Sequence, residues 1–262
     1  MKKILIGAPI HQEPEILELY LKSLQDLNTH NLEVNYCFVD DNIVQESKQI
    51  LKKFKEENNV KILKSYSHDR YEKNEHTHVW KENLIWKVAD FKNRIITEAI
   101  KGKYDYLLFV DSDLILHNET LQQLIKAGKD IISEVFWTKW TPDAIALPQV
   151  WVRDQYTLFK QGRGEKIAQQ EVDRRVLDFL KMLKKPGVYE VGGLGALTLI
   201  SRKALDKGVN FSEIKNVSYW GEDRHFCIRA LALGLKLHVD THYPAYHIYR
   251  KSDLEQLIAS VN

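Results

Sequence analysis

Between residues 4 and 110, short apolar runs alternate with segments of helical period, and few folds accommodate that alternation. Residues 4–9, 34–39, 60–63 and 104–110 each read as a buried strand that stops at Gly, Pro, Asn or Asp. Between them, residues 15–27 place Ile16, Leu17, Tyr20 and Leu24 at helical spacing, and residues 43–54 and 87–100 repeat the pattern. Strands joined through helices by short turns imply an α/β fold with a mainly parallel sheet covered by helices on both faces. The second half is less regular. A strand is expected at 130–137, a loop-rich segment at 138–154, and a helix at 174–183 that could begin as early as Lys166. A strand at 188–191 leads into Gly192-Gly193-Leu194-Gly195, and 196–200 is extended. A helix at 222–233 ends at Gly234, 235–239 is a strand, and Ser252-Asp253-Leu254-Glu255 has capping-box spacing for a terminal helix. No repeat, low-complexity tract or linker interrupts the chain, so residues 1–262 are expected to form one domain.

Ligands of such sheets bind at the carboxyl ends of strands. Three strand exits carry informative residues: Ala8-Pro9, Asp40-Asp41-Asn42 and Asp111-Ser112-Asp113. Two acids closing an apolar run are costly unless something compensates them, and a hard divalent cation carrying phosphates is a natural complement. Satisfying turn amides is the other use for acids in that position. Bulk charge adds little, because 38 Lys and Arg against 36 Asp and Glu leave a formal +2. That balance gives no field that would argue for nucleic acid or an anionic membrane. Cys37 and Cys227 lie in apolar-patterned segments without disulfide or zinc spacing, and no apolar run approaches the ~20 residues of a membrane span. A cytoplasmic protein with reduced cysteines, no nucleic-acid partner and no integral membrane span is expected.

Four features stand in order: Asp40-Asp41-Asn42, Asp111-Ser112-Asp113, Gly221-Glu222-Asp223 and His247. That order resembles the GT-A glycosyltransferases, in particular family 2 and its relatives, over nearly the whole chain from Ala8-Pro9 to His247. Lys92-Asn93-Arg94 and the glycine-rich stretch 192–197 before Ser201-Arg202-Lys203 add to the likeness. The resemblance implies a GT-A, Rossmann-like sheet with a smaller acceptor-side region. Residues 1–115 would form the nucleotide-binding half and 116–262 the acceptor-binding and catalytic half. It implies metal-dependent transfer of a sugar from a nucleoside diphosphate sugar to the hydroxyl of a carbohydrate or other acceptor, as a hexosyltransferase. Inversion is the expected stereochemistry, and a UDP donor is placed ahead of GDP. A retaining transferase with the same donor site and a non-catalytic nucleotide-sugar binder are the alternatives.

Carried over residue by residue, the resemblance gives Asp111 to the ribose, the metal or a metal-bound water, Asp113 to direct coordination and His247 to another edge of the same ion. Mn2+ suits such an oxygen and imidazole set, with Mg2+ second. Asp223 would be the catalytic base and Glu222 its positioning neighbour, or the two roles are exchanged. Donor contacts fall to Ala8, Pro9, Asp40, Asp41, Arg94, Ser112, Gly193 and Arg250.

Each of these residues also has a plain structural use. His247 could be a strand histidine, with His242 as the rival ligand; Glu222 and Asp223 could serve a helix N-terminus; Asp40 or Asp41 could cap the next helix; Arg94 could be a surface charge; Gly193 could serve only a turn. Trp137, Trp140, Trp151 and Trp220 divide between core and sugar-stacking uses. His76-Thr77-His78 reads as a solvated loop, and Arg202, Lys203, Arg224 and Arg229 as solvated charges. A haloacid-dehalogenase-like phosphatase would need its acidic triplet near the N-terminus. A nucleotidyltransferase would need a basic glycine-rich loop where Ala8-Pro9-Ile10-His11-Gln12 stands.

Overall fold

The computed structural model describes the chain except residues 67–71, 74–77, 154 and 262, so the solvated-loop reading of His76-Thr77-His78 falls, for its first two residues, outside the described residues. The first half alternates as expected. β1 (Lys2–Ile10), α1 (Pro14–Gln25), β2 (Leu32–Asp40), α2 (Gln45–Glu57) and β3 (Val60–Lys64) are followed by the two-residue strands β4 (Glu72–Lys73) and β5 (His78–Val79). Then come α3 (Glu82–Lys101), β6 (Tyr106–Val110), β7 (Leu114–Ile115) and α4 (Thr120–Lys126). The second half adds β8 (Ile131–Thr138), β9 (Leu147–Pro148), β10 (Val150–Trp151), α5 (Gln169–Leu183), β11 (Val188–Val191), β12 (Gly193–Leu194) and β13 (Leu197–Ser201). α6 (Arg202–Asp206), α7 (Glu222–Ala232), β14 (Leu237–His247) and α8 (Lys251–Val261) complete it.

The main sheet runs β11-β14-β8-β13-β6-β1-β2-β3. β3, β2, β1 and β6 are parallel, β13 runs against both β6 and β8, β14 is parallel to β8, and β11 closes the edge antiparallel to β14. The sheet is therefore mainly parallel and passes through both halves of the chain. Strand side chains alternate between two cores. Leu5, Val39, Leu107 and Phe109 pack with Phe91, Ile95 and Ile96 of α3, whereas Ile4, Ile6, Phe38, Leu108 and Val110 pack with Leu17, Tyr20 and Leu24 of α1 and Phe54 of α2. Both sheet faces are buried, which is why these strands read as unbroken apolar runs. Among the described residues, no helix is long and apolar enough to cross a membrane.

Two acids lie side by side inside the sheet. Glu134 of β8 is 1% exposed and lies in register with the fully buried Asp240 of β14. Asp240 accepts from Gln123 Nε2, His242 N and His242 Nδ1, each at 2.8 Å, while Glu134 Oε1 receives a 3.3 Å bond from Tyr243 N and Oε2 receives no hydrogen bond among the described residues. Burial, with the Asp240 charge added, pushes the Glu134 carboxyl up to about 9. The folded chain therefore holds a proton that the unfolded chain has released above its ordinary carboxylate range, so this residue costs stability progressively as pH rises towards 9. Glu134→Gln should stabilise the protein by on the order of 1–2 kcal/mol at pH 8 and by little at pH 5. Urea melts at the two pH values check this; a variant advantage that does not grow with pH would rule out a protonated Glu134.

Candidate active site

The exits of β1, β2 and β6 are tied together by one buried residue, Gln12, through its backbone and its side chain. Gln12 N donates to Asn42 Oδ1 at 2.9 Å, Gln12 Nε2 to Ser112 O at 3.4 Å, and Ser47 Oγ to Gln12 O at 2.7 Å. Tyr20 fixes the end of β6 by donating to Val110 O at 3.0 Å. A cleft opens on this edge of the sheet, lined by Pro9, His11, Asp41, Lys87, Phe91, Asp111, Ser112, Asp113 and Ile248.

Of the first acidic pair, Asp41 faces the cleft. Its Oδ2 lies 2.9 Å from Lys87 Nζ, an ammonium only 6% exposed, and 3.6 Å from His11 Nδ1. Burial alone would raise the Asp41 pKa, but hydrogen bonds from His11, Ser65 and Lys87 outweigh it and hold the carboxyl below its ordinary value. Asp40 Oδ1 is occupied within its own turn, accepting from Asn42 N at 3.1 Å and Asn42 Nδ2 at 2.8 Å. Ala8 is fully buried, leaving Pro9 as the exposed part of that strand exit.

The second acidic cluster forms around a lysine. Lys92 of α3 is 1% exposed, and its Nζ lies 3.0 Å from Glu222 Oε1, 3.1 Å from Asp223 Oδ1 and 3.9 Å from Asp111 Oδ1, with the Phe211 ring 5.0 Å beneath it. One ammonium thus joins the β6 exit to the start of α7. Burial, together with the surrounding acids, raises Asp111 to about 7 against the opposing pull of Lys92. Asp223 is raised to about 6 by burial and Glu222, while Lys92 and the Ala196 N–H oppose the shift.

Backbone detail holds these acids in place. Gly221, the N-cap of α7, has φ +114°, a region that favours glycine, so the helix can begin immediately at Glu222 and Asp223. A side chain at Gly195 would place its Cβ within contact of Asp223 Oδ2, so glycine there gives the carboxylate its space. Gly193 has a different use: the position of its missing Cβ is filled by the Trp151 ring. Ala196, at φ 60°, accepts from Asp111 N at 3.1 Å and so ties the glycine-rich turn to the acidic triplet.

His247 reaches the same place from the end of β14. Its Nε2 is 3.4 Å from Asp113 Oδ2, its Nδ1 is 2.8 Å from Thr138 Oγ1, and Ile248 N donates to Asp113 O at 2.9 Å. His242 is turned elsewhere, onto Asp240 and Gln123. Among the described residues, no three His, Cys, Asp or Glu side chains are gathered closely enough to hold an ion by themselves. Asp113 and His247 nevertheless fit a cation whose remaining ligands come from a bound diphosphate and water. An Nδ1–H donated to Thr138 leaves the Nε2 lone pair facing the Asp113 carboxylate, the arrangement of an oriented metal-ligating imidazole. Asp111 lines the same cleft, with Oδ1 3.9 Å from Lys92 Nζ.

Two expected donor contacts are engaged in structural bonds. Arg94 donates to Lys64 O at 2.9 Å and lies against the Tyr66 and Phe91 rings. Arg250 donates to Lys139 O at 2.9 Å and Trp140 O at 3.1 Å, fastening the segment after His247 to the loop after β8. Sequence reasoning missed Lys87 and Lys92 as site residues, although their sequence position carries a signal: both fall on the apolar stripe of α3, where Leu84, Phe91, Ile95, Ile96 and Ala99 are buried.

No protein-family model and no curated protein matches the sequence. Solved structures do match by shape. S. aureus TarS 1-349 superposes with a TM-score of 0.53 at 17% identity, covering 93% of this chain and 60% of that one. The same TarS fragment in complex with UDP-GlcNAc gives 0.52 at 19% identity, with 93% and 58% covered. The mannosyltransferase PcManGT from Pyrobaculum calidifontis, in complex with GDP-Man and Mn2+, gives 0.50 at 13% identity, with 91% and 56% covered. This chain therefore spans between about half and two thirds of the length of these structures. The likeness shows the fold, and at that level the GT-A arrangement expected from the order of motifs is met.

Proposed function

We propose that this chain transfers a sugar from a nucleoside diphosphate sugar to an acceptor hydroxyl with inversion, residues 1–115 binding the donor and 116–262 the acceptor within one domain. The observation that carries this reading is the meeting of four distant segments at one edge of the sheet: Asp113 with His247, and Asp111 with Glu222 and Asp223 through Lys92. The donor's base would lie against Pro9 and hydrogen-bond Asp41, whose carboxylate is held charged by Lys87 and His11. Asp113 and His247 would hold Mn2+ or Mg2+, which when bound neutralises charge on the departing diphosphate. Asp223 takes the proton from the acceptor hydroxyl as that oxygen bonds to the anomeric carbon, and the bond from that carbon to the diphosphate breaks with its electron pair on the leaving oxygen. Glu222 and Lys92 hold the base in place. The matched structures bind both a uridine and a guanosine donor, and UDP is the base we place first. Action in the cytoplasm completes the reading.

Thermal shift with UDP and with GDP, each with and without Mn2+, tests the donor assignment. A ligand that binds only the folded state stabilises it by about 2.7 kcal/mol at a hundred times its Kd. The cognate diphosphate with Mn2+ should raise the melting temperature by several degrees and should do much less without the metal. No shift with either nucleotide would remove the assignment.

A further inference from the structure

A second cleft, lined by residues of the segment after β8, of β9 and β10 and of the stretch after β10, shares no lining residue with the first. Its walls include Trp140, Pro148, Val150, Trp151 and Tyr156, and none of the described residues lining it carries a charge. Trp151 is almost wholly buried, one edge of its indole filling the space left by Gly193, while Trp140 and Tyr156 are about half exposed at 46% and 49%. The rings stand edge to face rather than collapsing on one another: Trp151 and Tyr156 at 4.7 Å and 76°, Trp140 and Tyr249 at 5.5 Å and 79°. Flat aromatic surface is thus left open in a cleft.

Tyr156 links this cleft to the chemistry. Its hydroxyl lies 3.1 Å from where a side chain at Gly221 would begin, one residue before Glu222, and the Arg224 guanidinium lies 4.6 Å from its ring centre and 3.7 Å from that of Tyr219. Its backbone has φ 58°, a left-handed conformation that a bulky residue keeps only where its surroundings impose it, and such residues gather at functional sites. The constraint holds an exposed phenol at the boundary between the aromatic cleft and the base.

We propose that this cleft is the acceptor subsite and that it takes a neutral pyranose ring, a reading that rests on the proposed transfer reaction. A molecule whose hydroxyl is presented to Asp223 extends past Tyr156 into the cleft. Inside the cleft an uncharged lining gives a phosphate or carboxylate no partner, because the Arg224 charge lies at the rim against the Tyr156 and Tyr219 rings. A purely aliphatic occupant would leave the polar rim of Tyr156 and Arg224 unused. A pyranose meets both demands, with its C–H face against the indole and its hydroxyls towards the rim and Asp223.

Saturation-transfer NMR on the full chain tests this without any nucleotide. The probes are soluble neutral oligosaccharides of glucose, galactose, mannose and N-acetylglucosamine, with trigalacturonate and 1-hexanol as charged and aliphatic comparisons. At least one neutral oligosaccharide should show saturation concentrated on the C–H protons of one ring face. Trp140→Ala should weaken that binding roughly tenfold, the size of one lost aromatic contact, and Trp140→Tyr should restore most of it. Trp140→Ala should also keep the wild-type melting temperature and nucleotide response. Binding of only hexanol or trigalacturonate, no binding of any neutral oligosaccharide, or unchanged affinity in Trp140→Ala would overturn the proposal. If the oligosaccharide binds and Trp140→Ala abolishes it while neither nucleotide shifts the melting temperature, the subsite stands and the transfer reaction fails.

Discussion

Lys92→Met is expected to lower stability by about 3–5 kcal/mol, the range for removing one partner of a buried ionic cluster, and to reduce transfer at least about a hundredfold. Three carboxylates share the ammonium, and Asp111 and Asp223 are already raised by burial and by the neighbouring acids while it is present. Methionine fills a similar volume above Phe211 but carries no charge, so Asp111, Glu222 and Asp223 would have to take up protons or move apart. Either response removes a base that must be ionised and fixed. Urea denaturation measures the first effect and initial rates the second. Lys203→Ala supplies the contrast: its Nζ also meets a carboxylate, Asp130, at 2.7 Å, but with 68% of the side chain exposed that pair should be worth under about 1 kcal/mol. Equal losses in the two variants would mean that Lys92 is an ordinary ion pair.

The contrast between Lys92 and the acids it holds shows what the sequence made legible. Strands β1, β2 and β6 are visible as apolar runs because both of their faces are buried, and α1 and α3 because an apolar stripe repeats along each. Boundaries drifted where side chains are atypical. α3 begins at Glu82 rather than Lys87, since Leu84 and Ile85 lie in a stretch dominated by polar and aromatic residues. α2 begins at Gln45, with Ile43 and Val44 exposed before it, so two apolar residues read as helix are loop. β14 departs furthest from its pattern. Expected to stop at Val239, it continues to His247 through Asp240, Thr241, His242 and Pro244, because Gln123 and the register irregularity after Asp240 accommodate residues that a regular central strand would reject. α4 and α6, at 7 and 5 residues, are too short to show a period and were not foreseen.

The site divides in the same way. The acids were found because a charge at the end of an apolar run is conspicuous and because their order resembles a known pattern. Lys92 enters the likeness only as part of Lys92-Asn93-Arg94 and without a role, and Lys87 not at all, because a lysine on a helix is usually solvated; their position on the buried stripe of α3 is what marks both as site residues. Which member of an adjacent pair faces inward was not legible either. Asp40 and Asp41 differ only in pleat direction at a strand end, and the turn bonds to Asn42 engage Asp40 and leave Asp41 to the cleft. Arg94 and Arg250 were chosen for charge, yet the backbone carbonyls of Lys64, Lys139 and Trp140 lie within their reach, and a guanidinium with five donors binds such groups readily.

Asp223→Asn is expected to lower kcat by about 100- to 10,000-fold, the usual contribution of a positioned general base, while leaving the affinity for nucleoside diphosphate and metal unchanged. Asparagine is nearly isosteric and can remain beside Gly195 and Lys92, so lost turnover would report lost basicity rather than a collapsed site. Glu222→Gln decides between the adjacent acids. Its carboxylate shares Lys92 but lacks the Ala196 N–H that helps fix Asp223, so its amide should cost much less. The wild-type pH profile gives an independent check. Burial and the Glu222 charge raise Asp223 to about 6, and only the deprotonated form accepts a proton, so kcat/KM should fall as pH drops through that value. Because Asp111, also raised, titrates in the same cluster, the limb belongs to the group jointly and should lie above the ordinary carboxylate range. Near-normal turnover in Asp223→Asn, with the acid limb intact, would transfer the base role to another residue; a deeper loss in Glu222→Gln would name Glu222 as that residue.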